Sequence, residues 1–230
     1  MGFSFVMTGG GTGGHVIPAI AVARVLRDRG HRLLFIGTKE GMEARLVPEA
    51  GFEIEFIQSG GLNRVGLVKQ LQTATRLPLG LGRSAGILRR FGAAAVFSTG
   101  GFVAGPVSVS ALLLGKPLVI MEPNAVPGFA NRKIAKRVHR ALLGFEETLK
   151  WFPPAAAEVT GLPVRREFFE NESKQSGPFT VLVTGGSRGA RTLNRAGRES
   201  WPLFRNSGSP VRIVHQTGPA EYDALVEVFR

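Results

Sequence analysis

Three times in this chain an apolar run ends in Thr-Gly-Gly and gives way to a helix-forming stretch: at Thr8-Gly9-Gly10, Thr99-Gly100-Gly101 and Thr184-Gly185-Gly186. Successive βα units of this kind build a parallel sheet with helices on both faces. The rest of the sequence keeps the alternation. Phe3–Thr8, Arg32–Thr38, Phe52–Gln58, Ala94–Thr99, Pro117–Glu122 and Arg140–Phe145 read as strands. Pro18–Arg29, Met42–Ala50, Val65–Arg90 with an interruption near Pro78, Val103–Leu114 and Phe129–Arg137 read as helices. A second series opens at Phe179–Thr184, continues through a helix near Thr192–Phe204 and reaches a strand at Val211–Gln216. The expected organisation is an α/β chain of two Rossmann-like domains: residues 1–163, a charged linker at 164–178, and residues 179–230. The second holds about two strands, too few for an open sheet to bury its faces. It is expected to be incomplete and the chain a fragment, folded to about Pro163 with a mobile remainder.

The glycines carry the first chemical signal. Gly9–His15 (GGGTGGH) lies between the first strand and the first helix, where bare backbone N–H groups at a helix start suit a phosphate. Gly9, Gly11 and Gly14 satisfy the dinucleotide pattern, but the second strand ends in Ile36-Gly37-Thr38-Lys39, with no acid for a ribose. An NADP site using Lys39 stays open, as does a turn that needs glycine for geometry alone. A P-loop does not, because no Gly-Lys-Ser/Thr follows. The loops after Thr99 and Thr184 fall at the carboxyl ends of parallel strands, where ligands bind in open α/β sheets. Two anion-shaped loops in one domain and one in the other suggest two phosphate-bearing ligands meeting in a cleft.

Charge adds a second signal. Lys+Arg number 29 against 17 Asp+Glu, and residues 61–150 hold 13 of the bases but three of the acids. Such a middle attracts polyanions, whether nucleic acid, anionic lipid or a phosphorylated substrate, unless it is simply a basic surface. A nucleic-acid binder would interleave aromatics with the bases, and both Trp and the single Tyr fall outside the basic run. Within Val65–Arg90, Leu67, Val68, Leu71, Leu77, Leu79, Leu81, Ile87 and Leu88 alternate with Lys69, Arg76, Arg83, Arg89 and Arg90. That pattern fits docking on an anionic membrane, with part of the stripe spent on the sheet. Cysteine is absent, which excludes disulfides and thiolate zinc sites and suits a reducing compartment. No apolar run reaches transmembrane length, and neither a secretory signal nor a metal site is expected.

Taken in order, GGGTGGH, TGGFVAGP, MEPNAVPGFANR (Met121–Arg132), TGLPVR (Thr160–Arg165), TGGSRGARTLN (Thr184–Asn194) and HQTG (His215–Gly218) resemble the MurG family of bacterial glycosyltransferases over the whole chain. The resemblance implies a GT-B fold with the active site between two Rossmann-like domains. It implies metal-independent, inverting transfer of N-acetylglucosamine from UDP-N-acetylglucosamine to lipid I, giving lipid II for peptidoglycan. No cofactor is implied. The implied location is peripheral, on the cytoplasmic face of the bacterial plasma membrane, with cell-wall synthesis or division proteins as further partners.

By position the resemblance assigns donor contacts to Thr12, Gly13, Gly14, Asn124, Arg165 and Ser187, and the acceptor diphosphate to loops with Gly10, Gly11, Gly100, Gly101 and Gly105. Membrane docking falls to Leu71, Leu79, Arg83, Arg89 and Arg90. Members usually read His-Glu-Gln-Asn where this chain has Met121-Glu122-Pro123-Asn124, and Tyr where it has Phe102, so no catalytic role passes to Met121. The acceptor 4-hydroxyl needs a base. His15 is the candidate, its alternative being to bind diphosphate or cap the loop, and Glu122 is the alternative base. His31, His139 and His215 read as surface or strand-end residues without partners. The family's nucleoside-binding loops come later than residue 230, so weak donor binding is expected, and an inactive or regulatory fragment is the alternative to an enzyme.

Overall fold

The computed structural model describes residues 2–59, 67–164, 168–170, 177–186, 189–208 and 210–229, with 67–76 described by their helical backbone alone. Two compact units divide between Phe169 and Glu170.

The first unit alternates strand and helix: β1 (Ser4–Thr8), α1 (Gly13–Asp28), β2 (Arg32–Gly37), α2 (Glu43–Glu49), β3 (Ile54–Phe56), α3 (Leu67–Phe91), β4 (Ala95–Ser98), α4 (Ala104–Leu113), β5 (Leu118–Glu122), α5 (Phe129–Ile134), β6 (Arg140–Leu143) and β7 (Ala157–Val159). A 3₁₀ turn extends α5 through Arg137, and another spans Glu146–Trp151. All strands run parallel, in the order β3-β2-β1-β4-β5-β6-β7. Chain order reverses between β1 and β4, which makes their carboxyl ends the ligand edge of the sheet.

Side-chain alternation divides the core into two layers. Val6, Leu34, Ile36, Val96, Leu118 and Ile120 face α3, α4 and α5. Met7, Phe35, Phe97 and Met121 face α1 and α2. Burial on both faces explains why these strands read as continuous apolar runs.

Two expectations need correction. Helix α1 begins at Gly13, not Pro18, so half of the glycine tract forms its first turn. Helix α3 runs through Pro78 without interruption. There the backbone is wedged against its neighbours: Ser110 Oγ donates to the Leu81 carbonyl (3.0 Å), and a Cβ on Gly80 would come within 2.9 Å of the Gln58 carbonyl. That packing outweighs the one N–H that proline lacks. After Pro163 the expected strand, helix and strand are followed by one more helix.

Those elements form the second unit: β8 (Phe179–Thr184), α6 (Arg191–Asn206), β9 (Val211–Gln216) and α7 (Tyr222–Phe229). Strands β8 and β9 pair in parallel, the βαβ arrangement expected of the second series. One sheet face packs on the helices, where Trp201 of α6 meets His215 of β9 edge-on at 5.3 Å and Phe229 of α7 at 5.4 Å. On the other face Leu182 is 66% exposed.

His215, expected at a strand end without a partner, is stacked beneath α6, and neither ring nitrogen has a hydrogen-bond partner among the described residues. Burial pushes its pKa below the usual 6.5. A depressed folded-state value favours the neutral ring, so the associated stability is complete above the unfolded pKa. It is lost as pH falls from 6.5 towards the folded value. In a Trp151→Phe background, Trp201 fluorescence should report a lower denaturant midpoint for this unit at pH 5 than at pH 8, and His215→Phe should flatten the difference.

Candidate functional site

The two glycine loops of the first unit meet at the topological switch point. Gly10 N–H donates to the Gly100 carbonyl (3.3 Å) and Thr99 N–H to the Thr8 carbonyl (2.9 Å). Gly101, at φ +87°, lies so close to the Gly10 backbone that no side chain fits there. Thr99 Oγ donates to the His15 carbonyl (2.7 Å), tying the first turn of α1 to the β4 loop.

The residue that shapes the first loop was not among the sequence candidates. Glu43, the first residue of α2, is 1% exposed. Its Oε1 accepts from Thr38 N–H (3.0 Å) and Thr38 Oγ (2.8 Å), and its Oε2 from Gly11 N–H (3.0 Å). No lysine or arginine pairs with it among the described residues. Cβ atoms on Gly10 and Gly37 would come within 2.5 Å of its side chain, and one on Gly41 would also collide with its carboxylate. The Glu43 side chain thus occupies space that three glycines leave open. The available signal was the pair Gly37 and Gly41 beside a glutamate opening a helix.

This arrangement corrects the assignment of the acceptor loops. The N–H groups of Gly10 and Gly11 are committed to Gly100 and Glu43, and Gly100 N–H is directed to Ser98 Oγ (3.3 Å). These three groups have no donor left for a diphosphate. The open donors lie at the helix starts, whose first N–H groups have no partner within the helix. Neither α1 nor α4 has a capping side chain or an acid in its first turn. Thr12, Gly13 and Gly14 sit at the start of α1, and Gly101 and Gly105 at that of α4.

Sequence-selected residues converge on one cavity of about 510 Å³, lined among others by His15, Gly100, Gly101, Gly105, Glu122 and Asn124. Its remaining walls are largely apolar, with Leu77, Val109 and Ile134 from three helices and Lys133 on the rim. The His15 ring stands 3.0 Å from Thr12 Oγ through Nδ1. Burial lowers its pKa below 6.5, while the Glu122 and Glu43 carboxylates pull it back up.

Glu122, the alternative base, is 1% exposed, and both its oxygens are occupied. Oε1 accepts from Asn124 N–H (3.0 Å) and Asn124 Nδ2 (2.8 Å), and Oε2 from Gly128 N–H (3.0 Å) and Asn131 Nδ2 (2.9 Å). A carboxylate so engaged organises the loop after β5 and has no idle lone pair directed at a substrate. Met121 is buried in the core, and the Phe102 ring fills the space a side chain on Gly11 would need.

The remaining candidates are scattered. Arg165 and Ser187 lie outside the described residues, as does the Leu71 side chain. Leu79 and Arg89 stand exposed, whereas Ile87 and Leu88 are buried in the core. Arg90 is engaged by both Glu55 oxygens at 2.7 Å, and Arg83 lines a cavity beside β3. His31 and His139, thought partnerless, each accept a backbone N–H through Nδ1, from Phe3 and Leu118 respectively. Among the described residues no helix is long and apolar enough to cross a membrane, and no cluster of His, Asp or Glu could hold a metal.

A protein of Solibacter usitatus named UDP-N-acetylglucosamine–N-acetylmuramyl-(pentapeptide) pyrophosphoryl-undecaprenol N-acetylglucosamine transferase is 56% identical over 227 residues, covering 98% of this chain and 62% of that protein. One of the same name from Nitrosococcus oceani is 41% identical, covering 100% and 65%. The crystal structure of Acinetobacter baumannii MurG matches with a TM-score of 0.74 at 30% identity, covering 99% and 64%. The chain therefore spans a little under two thirds of the length of these relatives. The glycosyltransferase family 28 N-terminal domain matches residues 5–143 and its C-terminal domain residues 180–229. With both domains in that order, two parallel α/β units and the glycine loops at the switch point, the chain belongs to glycosyltransferase family 28.

Proposed function

We propose that this chain serves the transfer of N-acetylglucosamine from UDP-N-acetylglucosamine to the 4-hydroxyl of the N-acetylmuramyl unit of undecaprenyl-pyrophosphoryl-N-acetylmuramyl-pentapeptide, giving lipid II. The observation that carries the reading is one largely apolar cavity that is lined by His15 of α1, by Gly101 and Gly105 at the uncapped start of α4, and by Glu122 and Asn124. An amphiphilic diphosphate needs that combination: N–H dipoles for its phosphates and apolar surface beside them.

His15 is the base in this reading. When Nδ1 donates to Thr12 Oγ, Nε2 keeps its lone pair and accepts the proton of the acceptor hydroxyl. The hydroxyl oxygen forms a bond to the anomeric carbon as the bond from that carbon to the phosphate oxygen breaks, and UDP leaves with the electron pair. Burial keeps the ring neutral before reaction, and the carboxylates of Glu43 and Glu122 favour the imidazolium that forms. The open N–H groups at the start of α4 suit the acceptor diphosphate, while Thr12, Gly13 and Gly14 suit the donor. In the second unit the turn at Gly185-Gly186 and the start of α6 suit the donor diphosphate, with Ser187 and Arg165 as further contacts.

The acceptor is lipid-anchored, and α3 offers the contact with an anionic membrane on the cytoplasmic face. Leu79, 67% exposed, and Arg89 support this role. Arg90 contributes less, because its guanidinium is engaged by Glu55. Other proteins of cell-wall synthesis or division are partners only by family analogy.

Three variants test these assignments. His15→Ala should lower lipid II formation by about 10²–10⁴-fold with donor affinity nearly unchanged. Because the base must be neutral, wild-type activity should fall as pH drops through a value below 6.5, and this limb should vanish in the variant. Unchanged turnover would remove His15 from the mechanism. Glu43→Ala should cost about 2–4 kcal/mol in denaturant titration, since three donors lose their acceptor and a cavity opens. Leu79→Asp should reduce co-sedimentation with anionic vesicles without changing the denaturant midpoint, and full sedimentation would place the membrane contact elsewhere.

A further inference from the structure

A second cavity, of about 790 Å³, opens on the same carboxyl edge of the sheet beyond β2 and β3. Phe102 and Ser59 line both cavities, and Ser59 Oγ donates to the Phe102 carbonyl (3.0 Å), so one partition separates them. The two differ in chemistry. The first is apolar around His15. The second is lined by Lys39, Glu40, Glu55 and Arg83 above Ile54, Phe56 and Ile57.

Its charges do not cancel internally. Glu55 is taken by Arg90, which leaves Lys39 and Arg83, both exposed, against Glu40. Neither cation has an ion pair among the described residues. Arg83 and Arg90 lie two turns apart on one face of α3, and Arg90 meets β3 through Glu55 while Arg83 lines the cavity beside it. Strand β3 is the edge of the sheet and pairs with β2 alone. Its far side leaves main-chain groups without a strand partner among the described residues, a template that an extended peptide can pair with.

We propose that this second cavity receives the carboxylate-bearing peptide branch of the acceptor, with Lys39 and Arg83 binding its carboxylates and the edge of β3 its main chain. The proposal rests on the acceptor reading of the first cavity. An acceptor lying across Phe102 would place its lipid-diphosphate side with His15 and its peptide on the charged side. A five-residue peptide reaches at most about 17 Å when extended. It must therefore bind close to the sugar, and the cavity across a single side-chain partition meets that condition.

The test uses the full chain without vesicles and two fluorescent acceptors on a short, water-soluble polyprenyl diphosphate, one carrying the whole pentapeptide and one trimmed to its first residue. Wild type should bind the pentapeptide compound about tenfold or more tightly by anisotropy, as expected for two charge-assisted contacts. Lys39→Gln with Arg83→Gln should abolish that preference and leave the affinity for the trimmed compound unchanged. Both side chains are exposed, so folding should be preserved. Glu40→Gln should strengthen binding of the pentapeptide compound alone. Equal wild-type affinity for the two compounds, or an equal loss for both in the double variant, overturns the peptide site and leaves the acceptor reading intact. Failure of both compounds to bind overturns both readings.

Discussion

The ligand edge of the first unit is organised around a buried carboxylate that has no lysine or arginine partner among the described residues. Taking a carboxylate out of water costs several kcal/mol unless donors replace its hydration. Glu43 meets that demand with two backbone N–H groups and one hydroxyl, drawn from the ends of β1 and β2. The consequences spread outward. Gly11 is held in place, the Gly10 carbonyl is set against Gly101, and the first turn of α1 is carried up to the β4 loop through Thr99. Glu122 repeats the device on the other side of the cavity with four donors from its own loop. His15 stands within the field of both, which is why burial and charge act on it in opposite directions.

The sheet was legible in the sequence because its central strands are buried on both faces and two of them, β1 and β4, run into Gly-Gly. Runs such as Leu33–Ile36 and Leu118–Met121 announce themselves without any periodicity. Strand β7 escaped notice because three residues after Pro153-Pro154 and two alanines carry no pattern, and its place is set by pairing with β6. Pro78 misled because local propensity says nothing of the packing between α3 and α4. The glycine start of α1 misled for the same reason: buried Val16, Ala19, Ile20 and Ala23 hold the helix that Gly13 and Gly14 begin.

The site was half legible. His15 and the loops could be picked out because glycine at strand ends has few other uses. Which N–H groups remain open could not, since that depends on long-range acceptors: Glu43 lies 32 residues from Gly11. The basic middle shows the same limit. Composition made Arg83, Arg89 and Arg90 equivalent, but helical geometry turns one to Glu55 and another to a cavity beside β3.

The space shared by Glu43 and its three glycines also constrains how the chain can diverge. A methyl group at position 10, 37 or 41 collides with the Glu43 side chain, at the carboxylate for 10 and 41 and at Cγ for 37, and a smaller residue at 43 leaves both an opening and unsatisfied donors. Single changes at these four positions are each penalised, although a concerted exchange could restore the packing. They should therefore drift together or not at all, with the fitness effect of each substitution set by its partners. That coupling is written into the molecule by van der Waals contact.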